Sequence, residues 1–138
     1  MSSPFSIFFK NLRLRIGQRQ TELAVELGYE QSYISAVELG IKGPSKELLD
    51  KLAEKYLSES DYQEMIKAVH ESNRRFILPI EVPTATYLLC NELWDKIDQL
   101  YPAQINAIRE LIKINDQIIS GMLSEPARIH RRKGEAKM

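Results

Sequence analysis

Apolar residues recur every three or four positions along most of the chain, which is the spacing of an α-helix with one buried face. The inner face of the first such segment carries Phe5, Phe8, Phe9, Leu12 and Ile16. Ser3 and Pro4 suit the N-cap and first turn of this helix, and Gly17 suits its end. The pattern therefore predicts a first helix from Pro4 to about Ile16.

Two short helical patterns then stand on either side of a single glycine, Gly28. Their inner faces carry Leu23, Ala24 and Leu27 in the first pattern, and Ile34 and Val37 in the second. Glycine can take the positive φ that ends a helix within one residue. Two helices that cross steeply at such a turn form a helix-turn-helix, whose second helix can enter a DNA major groove.

Two more helices are predicted before the composition changes. Ser45 suits the N-cap of a fourth helix. The inner face of that helix carries Leu48, Leu49, Leu52, Ala53 and Tyr56. Ser60 and Gln63 form a capping-box pattern that predicts the start of a fifth helix, with Met65, Ile66 and Val69 facing inward.

A proline-rich segment separates these helices from the rest of the chain. Pro79 and Pro83 stand four residues apart, which a helix interior does not tolerate, so residues 77–83 are predicted to be an extended linker. Thr84 then suits the N-cap of a helix to about Leu100, and Pro102 suits the first turn of a helix to about Met122. Residues 123–138 are basic, lack an apolar period and are predicted to be disordered. No segment shows a strand pattern, so the predicted fold class is all-α.

Composition and charge exclude several classes of protein. The 138 residues contain 19 basic and 19 acidic side chains, and this formal net charge of zero argues against a nonspecific polycation. The single cysteine, Cys90, excludes an intrachain disulfide and a cysteine-rich zinc site. No glycine-rich phosphate loop is present. We therefore expect no enzyme activity, no metal and no cofactor. Because no apolar run reaches the length of a membrane span, we also expect a cytoplasmic protein with no membrane partner.

The stretch from Phe8 to Leu57 resembles the DNA-binding domain of the Cro and phage-repressor family, also called XRE-type. The matching residues are Leu12-Arg13, Gly17, Gln20, Glu22-Leu23-Ala24, Leu27-Gly28, Ile34-Ser35, Val37-Glu38, Gly40, Pro44-Ser45 and Leu52-Ala53. The resemblance implies a five-helix, lambda-repressor-like helix-turn-helix domain over residues 1–76. A two-helix hairpin over residues 84–122 would follow it.

The resemblance also implies which side chains meet double-stranded DNA. The base-reading positions of the recognition helix, about residues 31–39, are Gln31, Ser32, Ser35 and Ala36. A glutamine can bind adenine with two hydrogen bonds, serines can contact either kind of base edge, and an alanine methyl can pack on the thymine methyl. This face carries no Arg or Lys, which favours A·T-rich sites over guanine.

Four further residues are assigned to the DNA phosphates. The family places a glutamine like Gln20 at a helix N-terminus, where its side chain and nearby N–H groups clamp a phosphate. Arg19 and Lys42 are expected to neutralise phosphate charge, and Tyr33 is placed for a phosphate rather than a base. Arg13 and Glu38 match family positions that form a structural ion pair between the first helix and the recognition helix.

The last two predicted helices carry more apolar surface than a hairpin alone can bury. The residues we assign to dimerisation are Leu93, Trp94, Ile97, Ile108, Leu111, Ile112, Ile118 and Ile119. A C2 homodimer would present two recognition helices to inverted half-sites about one helical turn apart. The alternative is a core formed entirely within one chain.

The leading hypothesis is a dimeric, sequence-specific transcriptional regulator that represses by occupying its operator. One alternative is an antitoxin-like or adaptor protein whose C-terminal helices bind a protein partner, with DNA binding secondary. Another is a helix-turn-helix fold that has lost DNA binding, which the uncharged recognition face suggests.

Overall fold

The computed structural model describes residues 2–117 and is all-α over that range, which confirms the predicted fold class. The helices are α1 (Pro4–Arg15), α2 (Gln20–Leu27), α3 (Gln31–Glu38), α4 (Lys46–Tyr56), α5 (Glu59–Glu71), α6 (Thr84–Lys96) and α7 (Pro102–Gln117). The chain divides into two compact units, Met1–Phe76 and Ile77–Met138.

Helix α1 supplies the aromatic part of the core in the first unit. The Ser3 hydroxyl accepts from the Ser6 backbone N–H at 3.1 Å and so caps the helix, and Pro4 follows in its first turn. The rings of Phe5 and Phe9 are buried and stacked, with centroids 5.8 Å apart. α1 ends at Arg15, with Ile16 as its C-cap, as its apolar pattern predicts.

One hydrophobic core holds the five helices of the first unit together. Helix α1 packs against α3 and α5, and α2 packs against α3. The buried apolar residues are Phe5, Phe9, Leu12, Leu23, Ala24, Leu27, Ile34, Val37, Leu48, Leu52, Met65 and Ala68. Ala24 of α2 is buried, and Ile34 and Val37 of α3 are completely buried. The core therefore fixes α3 on its inner face and leaves its outer face accessible.

The start of α5 differs from the sequence prediction. Ser58, not Ser60, is the N-cap, and its hydroxyl accepts from the Asp61 N–H. The Gln63 amide donates instead to Glu59, so no capping box forms at Ser60. On the inner face Met65 and Ala68 are buried and Val69 is half-buried against the core, whereas Ile66, predicted to face inward, is exposed.

The second unit contains two helices whose boundaries also differ from the prediction. Pro83 is the N-cap of α6 and Thr84 its first residue, so the helix begins without a side-chain cap. α6 ends at Lys96 rather than near Leu100, because tighter turns follow in which the Gln99 N–H donates to the Lys96 carbonyl. The predicted end at Met122, Ile118 and Ile119, and the tail over 123–138 lie outside the described residues. The packing of α6 and α7 as a hairpin stays a prediction.

Candidate nucleic-acid interface

The outer face of α3 is uncharged and open. Ile34 and Val37 are completely buried, which turns the opposite side of the helix outward. Of the four side chains predicted to read bases, Gln31 and Ser32 are exposed and Ser35 and Ala36 are half-buried. The four therefore lie on one accessible helix, as a base-reading surface requires.

A continuous chain of hydrogen bonds runs from α1 to Gln31. Arg13 binds Glu38 through Nε at 2.5 Å and through a terminal nitrogen at 3.1 Å, and Glu38 is buried. The Gln20 amide nitrogen donates to the same carboxylate at 3.0 Å. The Gln20 carbonyl oxygen accepts from the Gln31 amide nitrogen at 2.7 Å. A single network thus joins the ion pair of Arg13 and Glu38 to Gln20, which was assigned to a phosphate. Through Gln20 it reaches Gln31, which was assigned to a base.

The direction of every hydrogen bond in this network is determined by its charged end. A carboxylate only accepts, so Gln20 must turn its amide nitrogen toward Glu38 and its oxygen toward Gln31. Gln31 must then donate through its amide nitrogen. This leaves Gln31 with one N–H and its carbonyl oxygen, which is the donor–acceptor pair that the major-groove edge of adenine accommodates. Gln20 retains one N–H for a further acceptor.

Tyr33 is held by the start of α4. Its hydroxyl donates to Ser45 Oγ and accepts from the Ser45 N–H, each at 3.3 Å, and its ring lies 4.8 Å from that of Tyr29. The Lys42 ammonium stands 5.8 Å from the centre of the Tyr33 ring. Because the hydroxyl proton is already donated, a phosphate contact by Tyr33 requires the bond to Ser45 to open.

Arg19 precedes α2 and extends into solvent. Its side chain is 83% exposed and lies 3.4 Å from Glu22. The Arg19 backbone N–H donates to the Glu22 carboxylate at 2.8 Å, and this bond lowers the pKa of Glu22 below its ordinary value. The helix start thus uses a carboxylate three residues onward where a hydroxyl N-cap is lacking. The Arg19 guanidinium, like Lys42, stays accessible to an anion.

Most of the first unit matches the model of a known protein family. The matching family model describes a helix-turn-helix domain and covers residues 4–59 of the chain. Residues 4–59 are a helix-turn-helix domain. The match confirms the recognition made from the sequence, is consistent with an XRE-type DNA-binding family, and indicates a DNA-binding regulator. No curated protein and no solved structure matched the chain.

A lysine that the sequence analysis did not single out lies against the turn of the helix-turn-helix domain. Gly28 ends α2 with a φ of 82°, and Lys51 of α4 donates to the Leu27 carbonyl there at 2.6 Å. The same ammonium lies 4.6 Å from the centre of the Tyr29 ring and 2.9 Å from Glu47. This contact lowers the pKa of Glu47 and raises that of Lys51. The sequence feature that could have pointed to this lysine is its spacing from Glu47, four residues earlier on α4, at which a glutamate and a lysine can pair.

The helix-turn-helix domain is followed by helices whose apolar side chains are not covered. No side chain of α6 is buried. Of the predicted dimerisation residues, Leu93 and Ile108 are half-buried, whereas the others in the described range are exposed: Trp94, Ile97, Leu111 and Ile112. Ile118 and Ile119 lie outside the described residues.

Residues 2–117 contain no group of three or more His, Cys, Asp or Glu side chains placed to hold a metal ion. Over the same residues, none of the helices combines the length and hydrophobicity that a membrane crossing requires.

Proposed function

We propose that the chain is a sequence-specific transcriptional regulator that acts in the cytoplasm as a dimeric repressor. Its α3 would enter the major groove of an inverted-repeat operator. The observation that carries this proposal is the hydrogen-bond network ending at Gln31, because it prepares one amide donor and one acceptor at the exposed start of α3.

The remaining outward side chains favour A·T-rich sequence. Ser32 and Ser35 can donate to or accept from base edges, and Ala36 can contact a thymine methyl. The only charged residue in α3 is Glu38, which is buried against Arg13. The surface therefore lacks the guanidinium or ammonium group that most often binds guanine.

Phosphate binding would come from the edges of this surface. Gln20 has one amide N–H left for a phosphate oxygen, and it lies at the N-terminus of α2, where backbone N–H groups favour anions. Arg19 and Lys42 supply positive charge from exposed positions on either side of the motif. With so few cations in one copy, two linked copies would bind far more tightly than one.

Dimerisation is supported by the exposed apolar residues of α6 and α7. A Trp94 side chain that is 67% exposed and a Leu111 side chain that is 66% exposed are costly to leave in water. A second copy would cover them and pair two helix-turn-helix domains around one axis.

DNase footprinting of genomic fragments, including the DNA upstream of the chain's own gene, tests the proposal. We expect a protected, approximately palindromic site whose affinity falls steeply as salt rises. Gln31→Ala and Ser35→Ala should relax or abolish the site preference. Lys42→Ala should weaken binding to all sequences alike and reduce the slope of the salt dependence by about one. Lys67→Ala, an exposed lysine on α5, is the matched control and should change neither. No protected site at any salt concentration would reject the proposal.

The exposed apolar residues of α6 and α7 also favour a second candidate, an antitoxin-like or adaptor protein that binds another protein through these helices. Sedimentation of the purified full chain distinguishes the two candidates. A dimer at micromolar concentration supports the repressor, whereas a monomer contradicts the dimer and favours the adaptor.

A further inference from the structure

The outer face of α3 ends in an apolar patch, of which only Ala36 has a role in the assignments above. The patch consists of Ala36, Leu39 and Ile41. Leu39 is the C-cap of α3 and is 53% exposed, and Ile41 is 57% exposed. Both stand next to a surface of serines and an amide, where burial against an apolar group of a bound partner would be favourable.

The backbone after α3 holds this patch in place. Gly40 has a φ of 78°, its N–H donates to the Val37 carbonyl at 3.1 Å, and the Ile41 N–H donates to the Ala36 carbonyl at 3.0 Å. These two bonds form a Schellman motif, which typically brings the residue after the glycine toward the preceding helical turn. Ile41 is thereby directed toward the turn of the helix that carries Ala36. On the helix itself, Ala36 and Leu39 lie on the side opposite the buried Ile34 and Val37, which is the side of the base-reading residues.

Only one group on the major-groove edge of a base pair is apolar, the 5-methyl group of thymine. A charged or hydrogen-bonding contact is not available to Ala36, Leu39 or Ile41. Burial of a methyl group between apolar side chains is favourable, and burial of a cytosine amino group there without a partner is not.

We propose that Leu39, supported by Ala36 and Ile41, selects thymine through its 5-methyl group and so determines one end of each half-site. This inference rests on the proposed function and adds to it a specificity-determining residue outside the positions assigned from the family. Leu39 lies eight residues after Gln31, about 12 Å along the helix axis. That distance corresponds to roughly three to four base-pair steps of 3.4 Å. The selected thymine should therefore lie three to four positions from the adenine bound by Gln31.

Replacement of single thymines by deoxyuridine tests the inference, because uracil retains the base pairing and lacks only the methyl group. For the wild-type protein we expect one substitution per half-site, at the stated distance, to weaken binding about fourfold. Leu39→Ala should bind the thymine and uracil operators equally. The matched control is Leu14→Ala, which changes the same residue type at a similar exposure of 57% on α1. It should keep the full discrimination.

The outcomes separate the inference from the function on which it rests. One outcome is an operator, revealed by footprinting, in which no thymine-to-uracil change weakens binding of the wild-type protein. That result would overturn the inference and would not contradict the proposed function as a regulator. Discrimination that survives intact in Leu39→Ala also overturns it. Failure to find any operator rejects the regulator and the inference together. The uracil series uses the unaltered protein, so it tests for a selected thymine at the stated distance even if Leu39→Ala folds poorly.

Discussion

Glu38 is the residue on which the candidate interface depends most. Its side chain is 3% exposed and accepts from both Arg13 and Gln20, so it joins α1, α2 and α3 at one point. A buried ion pair adds little net stability against an apolar replacement, but the loss of one partner leaves an uncompensated charge. The role of Glu38 is to orient its neighbours. Because its carboxylate oxygens only accept hydrogen bonds, they determine which way the side-chain amides of Gln20 and Gln31 point.

Arg13→Met should destabilise the first unit strongly, because Glu38 keeps its buried charge without its cation. We expect a loss of about 3–5 kcal/mol in the free energy of unfolding. The double variant Arg13→Met, Glu38→Met should lose clearly less than the sum of the two single variants. Urea unfolding monitored by circular dichroism measures all four proteins. Equal stability of Arg13→Met and wild type would show that the pair contributes nothing.

At the level of single residues, the sequence and the resemblance predicted more than periodicity alone can. They assigned Arg13 to Glu38, and the structure places those two side chains together. They treated Gln20 and Gln31 as separate contacts, and the structure joins them by a hydrogen bond. They left the Tyr33 hydroxyl available, although Ser45 occupies it. Side chains from different helices meet only in the folded domain, so spacing along the chain could not predict these last two contacts.

The helix boundaries are the main feature at the level of elements. Glycine was correctly expected at the turn before α3, where Gly28 has a φ of 82°. The N-caps of α5 and α6 were misplaced by one or two residues. Several serines and threonines near a boundary satisfy the same capping pattern, and tertiary packing of the apolar face selects among them.

Gly28→Ala tests whether the turn needs glycine for its backbone rather than for space. A Cβ at this position would meet only the Lys51 ammonium at 3.6 Å, an ordinary contact. The cost should therefore come from the left-handed backbone, about 1–2 kcal/mol in the free energy of unfolding. Gly43→Ala is the matched control, since a Cβ there meets nothing and φ is not positive. It should change stability by less than about 0.5 kcal/mol. Thermal and urea unfolding provide both values, and equal effects of the two substitutions would contradict this explanation.

Lys51→Met tests the contact that connects α4 to the turn. The substitution keeps the side-chain length and removes the bonds to the Leu27 carbonyl and to Glu47. We expect a loss of about 1–2 kcal/mol in stability. We also expect weaker DNA binding because α3 is less firmly oriented. Lys67→Met, at an exposed lysine on α5, is the control. If Lys51→Met leaves both stability and affinity unchanged, the lysine has no positioning role.

At the level of the whole molecule, the two units differ in how completely they bury apolar surface. The first unit encloses twelve apolar side chains in one core. In the second unit, α6 contains no buried residue, and Leu111 and Ile112 of α7 are exposed. The buried core therefore accounts for the stability of the first unit. The exposed apolar side chains of the second unit support the dimer that we propose.

Leu111→Glu should break the proposed dimer, because a carboxylate would have to be buried at an apolar interface without a partner. We expect sedimentation equilibrium to show a shift toward monomer and footprinting to show weaker operator binding. The unfolding of the helix-turn-helix domain should stay unchanged. Leu14→Glu places the same charge on the exposed side of α1 and should leave the oligomeric state as it is. A dimer that withstands Leu111→Glu contradicts this assignment of the interface.

The sequence by itself determined the all-α class, the glycine turn, the core faces of α1 to α4 and the helix that carries the candidate base-reading residues. These properties are local, because helical periodicity and the positive φ that glycine adopts easily depend on residues that are close together in the sequence. Only the tertiary structure decided which cap opens α5, how Gln20 orients Gln31, how Lys51 holds the turn and which apolar side chains stay uncovered. Each of these depends on side chains that are distant in sequence and become neighbours when the helices pack.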